Sequence, residues 1–155
     1  MNEIADSFAI VGDVISVEPY GEGHINRTYL ITTDNARYIL QKIIDKVFGD
    51  IDGLMNNIVA VTEFIKSKSM ETLSVVPTKD SKPYLPHATG FYRMYEFIEN
   101  TVTYQTVKDK EMFELCGEAF GNFQSALKDF DATVLVETIP HFHDTPNDTA
   151  FLFEP

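Results

Sequence analysis

The sequence contains a single cysteine, Cys116, and no tryptophan among its 155 residues. One cysteine cannot form an internal disulfide, so a disulfide-rich secreted scaffold is excluded. No stretch approaches the roughly 18 consecutive apolar residues that a membrane-spanning helix needs. The amino terminus, MNEIADSFAI, has no basic segment ahead of an apolar one, which argues against a secretory signal. Together these absences predict a cytoplasmic protein.

Basic residues are also scarce, since 12 lysines and arginines accompany 24 aspartates and glutamates, for a formal net charge of −12. A surface of that sign repels phosphate backbones and anionic lipid, so neither nucleic acid nor a membrane is expected as a partner. The composition, 44% hydrophobic and 23% charged, is typical of a globular protein. A chain of this length hides roughly 70% of its unfolded surface, which is enough for a full core.

Alternating apolar residues and turn residues predict an antiparallel sheet in the first hundred residues. VISVEPY, residues 14–20, predicts a strand that runs into a glycine-containing loop. TYLITTDNARYILQKI, residues 28–43, predicts strand, turn and strand, with the turn at residues 33–36. Further strands are predicted in LSVVPT (73–78), near Pro83 and Tyr84, and in GFYRMYEFI (90–98).

Helical spacing of apolar residues predicts a one-sided helix after the hairpin. Either Asp50 or Asp52 is placed to cap its amino end, Asn57 borders the apolar stripe, and Glu63 points away from it. The stripe consists of Leu54, Ile58, Val61 and Ile65. One helix packed on a sheet of hairpin-linked strands predicts an α+β fold.

Two further helices are predicted, a short one in residues 2–10 and a long amphipathic one from Lys108 to Phe130. Cys116 falls on the apolar stripe of the long helix, which predicts a buried and unreactive thiol.

The pair Gly21 and Gly23 either brings backbone N–H groups close to a phosphate or forms a plain turn. A strand follows, not a helix, which argues against a dinucleotide-binding fingerprint. Lys42 lies among apolar neighbours and either extends past a strand end or faces a bound anion.

The stretch HFHD raises the question of a metal site at His141, His143 and Asp144. No third ligand with recognisable spacing accompanies the two histidines, so surface or capping histidines are the better interpretation and no metal ligand is assigned.

The stretch RMYEFIEN, residues 93–100, is a strand that leaves the sheet through polar residues. It is either a plain strand end or a segment whose free backbone groups hydrogen-bond a planar base.

Several stretches in order along the chain resemble the aminoglycoside phosphotransferase superfamily, whose fold is protein-kinase-like, and in particular its N-acetylhexosamine 1-kinase branch. They are GEGHINRTYLI with YILQKI, VFGDIDGLMNNIVAVTEFI, YRMYEFIENTVTY, GEAFGNFQSAL and ETIPHFHDT. The resemblance implies a kinase-like amino-terminal lobe at residues 1–99, with an antiparallel sheet of about five strands and one packed helix. Residues 100–155 would be the hinge and the first helices of an incomplete carboxy-terminal lobe.

The resemblance also implies roles for individual residues. Lys42 would contact phosphate, with Gln41 as the alternative if the strand register slips by one, and Asn57 would be the helix partner of the lysine. The nucleotide-covering loop would contain Gly21, Gly23, His24 and Asn26. The hinge that meets adenine through its backbone would be Glu96, Phe97 and Ile98.

Kinases of this kind carry a catalytic aspartate in an HxD-type loop with a following asparagine, and a second aspartate for magnesium. Nothing after residue 104 supplies that pattern, and HFHD lies in the linker after the long helix, so no catalytic residue is assigned. ATP, or another nucleoside triphosphate, and Mg²⁺ are expected as cofactors of the complete enzyme. The 155-residue chain alone is expected to be inactive.

The function implied by the resemblance is phosphorylation of a small molecule, a sugar or amino sugar such as an N-acetylhexosamine at its anomeric hydroxyl. One alternative is a noncatalytic binding or oligomerisation module with a kinase-like fold, and another is the remnant of a truncated gene. In the module, exposed apolar side chains would form a homo-oligomer interface. They are Phe113, Phe120, Phe123, Phe151 and Phe153.

Overall fold

The computed structural model of the chain describes residues 1–21, 26–102, 104, 106–140 and 142. Within them, six strands form one sheet, and three α-helices and one 3₁₀ turn accompany it. The strands are β1 (Val14–Pro19), β2 (Arg27–Thr33), β3 (Arg37–Ile43), β4 (Val75–Val76), β5 (Leu85–His87) and β6 (Gly90–Glu96). The helices are α1 (Asn2–Ala5), α2 (Ile51–Ser67) and α3 (Lys110–Ala126), and the 3₁₀ turn is Ala132–Val134.

The sheet is antiparallel throughout, with the order β1-β2-β3-β6-β4, and β5 also pairs with β6. β3 lies in the middle, where Leu40 stands opposite Tyr29 of β2 and Met94 of β6. The predicted hairpin is confirmed, and its turn is closed by the Thr33 N–H, which donates to the Ala36 carbonyl at 2.9 Å. The predicted α+β fold class with an antiparallel sheet and a packed helix is therefore confirmed.

The two faces of the sheet carry different side chains because strand residues alternate. On one face, α1 covers a core that contains Phe8, Leu40 and Met94. On the other face, Ile43 of β3 packs with Met55 of α2. The face of the sheet on which a β3 side chain lies therefore decides whether it packs in the core under α1 or in the core under α2.

Helix α2 begins where the sequence predicts, because the Asp50 carboxylate accepts a hydrogen bond from the Gly53 N–H at 2.8 Å. Glu63 is exposed, as predicted for a residue that points away from the apolar stripe of α2. It forms an ion pair with Lys66 at 3.0 Å. Gly53 has no room for a side chain, since a Cβ there would lie 2.5 Å from Cγ2 of Val136. The close approach at Gly53 lets the chain after α3 pack against the start of α2.

Helix α3 differs from its prediction in environment. It is shorter than residues 108–130, and in the described structure none of its residues is buried. Phe113 and Phe120 are 69% and 71% exposed. Cys116 is exposed as well, so the prediction of a buried thiol is wrong. Helical periodicity identifies an apolar face, but it carries no information about what covers that face.

The chain after α3 returns to α2. The Phe130 ring packs edge-on against Phe64, with 5.1 Å between ring centroids, and Lys68 pairs with Asp129 at 3.9 Å. None of the helices within the described ranges is long and apolar enough to cross a membrane.

Candidate functional site

A cleft of about 370 Å³ lies on the α2 side of the sheet, next to the chain that leaves β6. We call it the hinge cleft, and residues 96–98 at its edge the hinge segment. The lining residues are Tyr20, Ile39, Gln41, Leu73, Arg93, Tyr95, Glu96, Phe97, Ile98 and Thr101. Strands β3 and β6 supply its floor, and Tyr20, the residue directly after β1, also lines it.

Hydrogen bonds hold the hinge segment to its neighbours. The Glu96 N–H donates to the Ser74 carbonyl at 2.9 Å, and the Phe97 N–H donates to the Arg37 carbonyl at 3.0 Å. The Ile98 N–H has no hydrogen-bond partner among the residues that the structure describes. It is therefore an available donor at the edge of the hinge cleft.

Aromatic and cationic side chains fix the position of Phe97. The Arg37 guanidinium lies 4.2 Å from the centre of the Phe97 ring, and it forms a hydrogen-bonded ion pair with Glu99. The Tyr20 ring meets Phe97 edge-on, with 5.9 Å between centroids. The entrance of the cleft is thus bounded by two ordered aromatic rings.

Arg93 places a positive charge in the cleft. Its side chain is 9% exposed, and its Nε donates to the Gln41 amide oxygen at 3.0 Å. Burial lowers the pKa of Arg93, although a guanidinium stays charged at neutral pH. Burial raises the pKa of the neighbouring Tyr95 hydroxyl, and Arg93 opposes that rise. Within the described chain, no carboxylate pairs with Arg93.

Lys42, which the resemblance assigns to phosphate binding, lies on the face of β3 opposite to the hinge cleft. It shares the α1 face with Leu40 and lines a separate cleft with Arg27 and His87. The register of β3 puts Lys42 opposite Tyr92, and puts Gln41 opposite Arg93 on the hinge-cleft face. Gln41, the stated alternative, is therefore the β3 residue that the structure brings to the hinge.

Asn57 also has a different partner from the one expected. Its side-chain nitrogen donates to the Val136 carbonyl at 2.7 Å, and its side-chain oxygen accepts from the Val136 N–H at 3.0 Å. These two hydrogen bonds anchor the chain after α3 to α2, and the described structure shows no hydrogen bond between Asn57 and Lys42.

The predicted loop is described at its two ends only. Gly21 has a φ of +72°, a left-handed conformation that favours glycine. The Asn26 amide oxygen is buried without a partner in the described part of the chain, and both residues line a small cleft that also contains Tyr20. Tyr20 lines the hinge cleft too, so it connects the loop ends to the hinge. Gly23 and His24 lie outside the described residues.

Arg93 and Tyr20 are functional candidates that the sequence reasoning missed. The signal for Arg93 was the one used for Lys42, a cation among apolar neighbours on a strand. Alternation alone could not choose between the two, because the strand register across β3 and β6 was unknown.

The residues considered for a metal site, His141, His143 and Asp144, lie outside the described residues, as do Phe151 and Phe153. Among the described residues, no three histidine, cysteine or acidic side chains are grouped as metal ligands.

A larger cleft of about 440 Å³ lies between α2 and the chain around β4. Its lining contains one charged side chain, Glu63, and no lysine or arginine. A negatively charged ligand therefore has no counter-charge there, whereas the hinge cleft supplies one in Arg93.

No protein-family model matches the sequence. The fold is similar to that of two solved structures. An aminoglycoside phosphotransferase from Alicyclobacillus acidocaldarius matches with a TM-score of 0.61 at 12% identity, over 98% of this chain and 42% of that chain. A spectinomycin phosphotransferase, in complex with ADP and spectinomycin, matches with a TM-score of 0.54 at 11% identity, over 79% of this chain and 36% of that chain.

The chain thus spans well under half the length of the proteins that it resembles. At this level of identity the likeness concerns the fold, and its sheet and packed helix correspond to the small lobe of those proteins. The chain has the kinase-like small-lobe fold of the aminoglycoside phosphotransferases.

Proposed function

We propose that this chain is the amino-terminal, nucleotide-binding part of an ATP-dependent small-molecule phosphotransferase. The observation that carries the proposal is the hinge cleft, an apolar slot with a free backbone donor and a buried cation, in a chain with this fold. ADP in the similar spectinomycin phosphotransferase supports a nucleotide as the ligand.

The base of the nucleotide would lie at the hinge segment. Ile39 and Leu73 supply apolar walls for a planar ring, and the Ile98 N–H supplies a donor to a ring nitrogen. The loop that contains Gly21 and Asn26 would then lie beside the ribose and phosphates. The orphaned Asn26 amide oxygen is consistent with a ligand or loop partner at that place.

The proposed acceptor is a sugar or amino sugar, most specifically an N-acetylhexosamine at its anomeric hydroxyl, in the cytoplasm. The sequence resemblance to the N-acetylhexosamine 1-kinase branch supports this choice. Phosphoryl transfer relies on aligned substrates and on cationic stabilisation of the transferring group, and Mg²⁺ would contribute such charge. We assign residues 1–99, which end with the hinge segment, to the amino-terminal lobe, and residues 100–155 to the rest of the hinge and the start of the second lobe.

The test is a titration of the ¹⁵N-labelled chain with ATP, followed by NMR. We expect saturable shifts at the amides of Ile39, Gln41 and Ile98, and small shifts at Ile4 and Phe8 on the opposite face. A parallel assay with radiolabelled ATP and an N-acetylhexosamine should detect no phosphate transfer by the 155-residue chain. Absence of ATP binding would contradict the nucleotide-binding role, and robust transfer would contradict the expected inactivity.

A noncatalytic association module is the second candidate, and the exposure of Phe113 and Phe120 on α3 favours it. It predicts a different result in the same titration, namely no shift at the hinge segment at any ATP concentration. It also predicts a molar mass that rises with protein concentration in sedimentation equilibrium. In the variant Phe120→Ser, the molar mass should return to that of the monomer.

A further inference from the structure

We propose that Arg93 binds the phosphates of the nucleotide in the hinge cleft, and that Gln41 positions its guanidinium. The inference rests on the proposed function, because it names the residue that recognises the charged part of the same ligand. It assigns to β6 a task that the sequence resemblance assigned to Lys42 on β3.

The position of Arg93 along β6 is suitable for this task. Arg93 precedes the hinge segment by three to five residues. At ~3.3 Å per strand residue, its backbone lies about 10 Å from Glu96, where β6 ends and the hinge segment begins. A base at the hinge segment therefore leaves room for a ribose before the cation is reached.

Within the described structure the charge of Arg93 has no carboxylate partner, and its guanidinium lies 5.4 Å from the centre of the Tyr95 ring, a cation–π contact that compensates a charge only in part. The side chain is nine-tenths buried, and no carboxylate of the described residues lies within 4.0 Å of it. Taking a charge out of water is unfavourable unless a counter-charge replaces the lost hydration. The net charge of −12 means that acidic side chains are abundant, yet within the described structure none pairs with Arg93, not even Glu96, which also lines the cleft. This favours an external anion.

Gln41 orients the guanidinium through a chain of hydrogen bonds across three strands. Its side-chain nitrogen donates to the Thr28 hydroxyl of β2 at 3.2 Å, and its oxygen accepts from Arg93 Nε of β6 at 3.0 Å. With Nε occupied, the two terminal nitrogens of Arg93 are left for the cleft. That is the side of a guanidinium that binds phosphate oxygens in pairs.

The experiment compares ATP with adenosine, which has the base and ribose but no phosphate. Calorimetry on the 155-residue chain should give a higher affinity for ATP than for adenosine. Arg93→Met should lower the ATP affinity by about tenfold or more, since hydrogen bonds to an ionised group are lost. Its adenosine affinity should change by less than about twofold, because the base site is separate.

A second variant tests the inference independently, in case Arg93→Met does not fold. Gln41→Glu is nearly isosteric and places a carboxylate beside Arg93, where the described structure has none. It should lower the ATP affinity and leave the adenosine affinity unchanged. Lys79→Met, which removes an exposed cation elsewhere, is the matched control for the loss of one positive charge.

Wild-type ATP affinity in both Arg93→Met and Gln41→Glu, with adenosine still bound, would overturn the inference and leave the proposed function standing. Loss of ATP affinity in Lys42→Met but not in Arg93→Met would also overturn it, in favour of the sequence-based assignment. If the wild-type chain binds neither compound, the proposed function fails and the inference fails with it.

Discussion

At the scale of single residues, Arg37 connects the sheet to the hinge segment by three different contacts. Its carbonyl accepts from the Phe97 N–H, its guanidinium covers the Phe97 ring, and the same guanidinium pairs with Glu99. The Arg37 and Glu99 side chains are 41% and 54% exposed, so solvent and salt screen their attraction. The pair therefore acts mainly as a local tether for the hinge segment.

The tether makes a prediction about pH. The Arg37 hydrogen bond lowers the pKa of the Glu99 carboxyl below its ordinary value in the folded chain. The pair therefore stabilises the fold above the pKa of an unfolded glutamate, and this contribution is lost as the pH falls through the folded-state pKa. In Arg37→Met, an NMR titration of the Glu99 carboxyl carbon should show its pKa rising towards the ordinary value.

The matched control for that titration is Arg27→Met, which removes an exposed arginine from the neighbouring strand and should leave the pKa of Glu99 unchanged. Equal pKa values of Glu99 in the wild type and in Arg37→Met would show that the ion pair does not persist in solution.

At the scale of elements, α2 and α3 begin in the same way but differ in what they stabilise. Asp50 accepts from the Gly53 N–H and Asp109 accepts from the Met112 N–H, each at 2.8 Å. α2 packs on the sheet, whereas no residue of α3 is buried in the described structure. Most helical stability in proteins comes from such packing. Loss of the cap of α2 should therefore destabilise the folded sheet more than loss of the cap of α3.

We therefore expect Asp50→Ala to lower the free energy of unfolding of the sheet by about 1 kcal/mol, the usual value of a lost helix cap. Asp109→Ala should reduce the helical circular dichroism signal and leave the unfolding midpoint of the sheet unchanged. Denaturant titrations followed by tyrosine fluorescence and by circular dichroism measure the two effects. Asp50→Asn, which keeps a capping oxygen, is the control, and equal losses in both alanine variants would contradict the distinction.

At the scale of the whole molecule, stability is concentrated in the middle of the sheet. β3 is hydrogen-bonded to a strand on each side and has a core on each face, with Leu40 under α1 and Ile43 under α2. Within the described structure, no residue of α3 is buried, and its Phe113, Leu115 and Phe120 are exposed. Association through α3, anticipated from the sequence, stays a prediction.

This distribution predicts the pattern of amide hydrogen exchange. Amides at Ile39, Leu40 and Met94 should exchange slowest, since they open only when the sheet unfolds. Amides in the middle of α3, such as that of Gly117, should exchange orders of magnitude faster. Mass spectrometry or NMR after dilution into D₂O measures both, and protection of α3 equal to that of β3 would show that α3 is covered in solution.

Local patterns in the sequence predict much of this fold. The turn residues at 33–36 predict the hairpin, the apolar spacing of three or four residues after Asp50 predicts α2, and the run GFYRMYEFI after turn residues predicts β6. Three elements are shorter than predicted: β4 contains two residues where six were predicted, α1 ends at Ala5 and not at residue 10, and α3 spans Lys110–Ala126. Pro77, which cannot donate a ladder hydrogen bond, follows the last residue of β4.

By itself, the sequence determined the hairpin, α2 and β6, because periodicity and turn chemistry act over a few neighbouring residues. Only the tertiary structure decided that Gln41 and Arg93, not Lys42, share the hinge cleft, and that Asn57 binds Val136. It also decided that Cys116 is exposed. These outcomes depend on strand register and on which surfaces meet, and a shift of one residue in a strand moves every side chain to the other face.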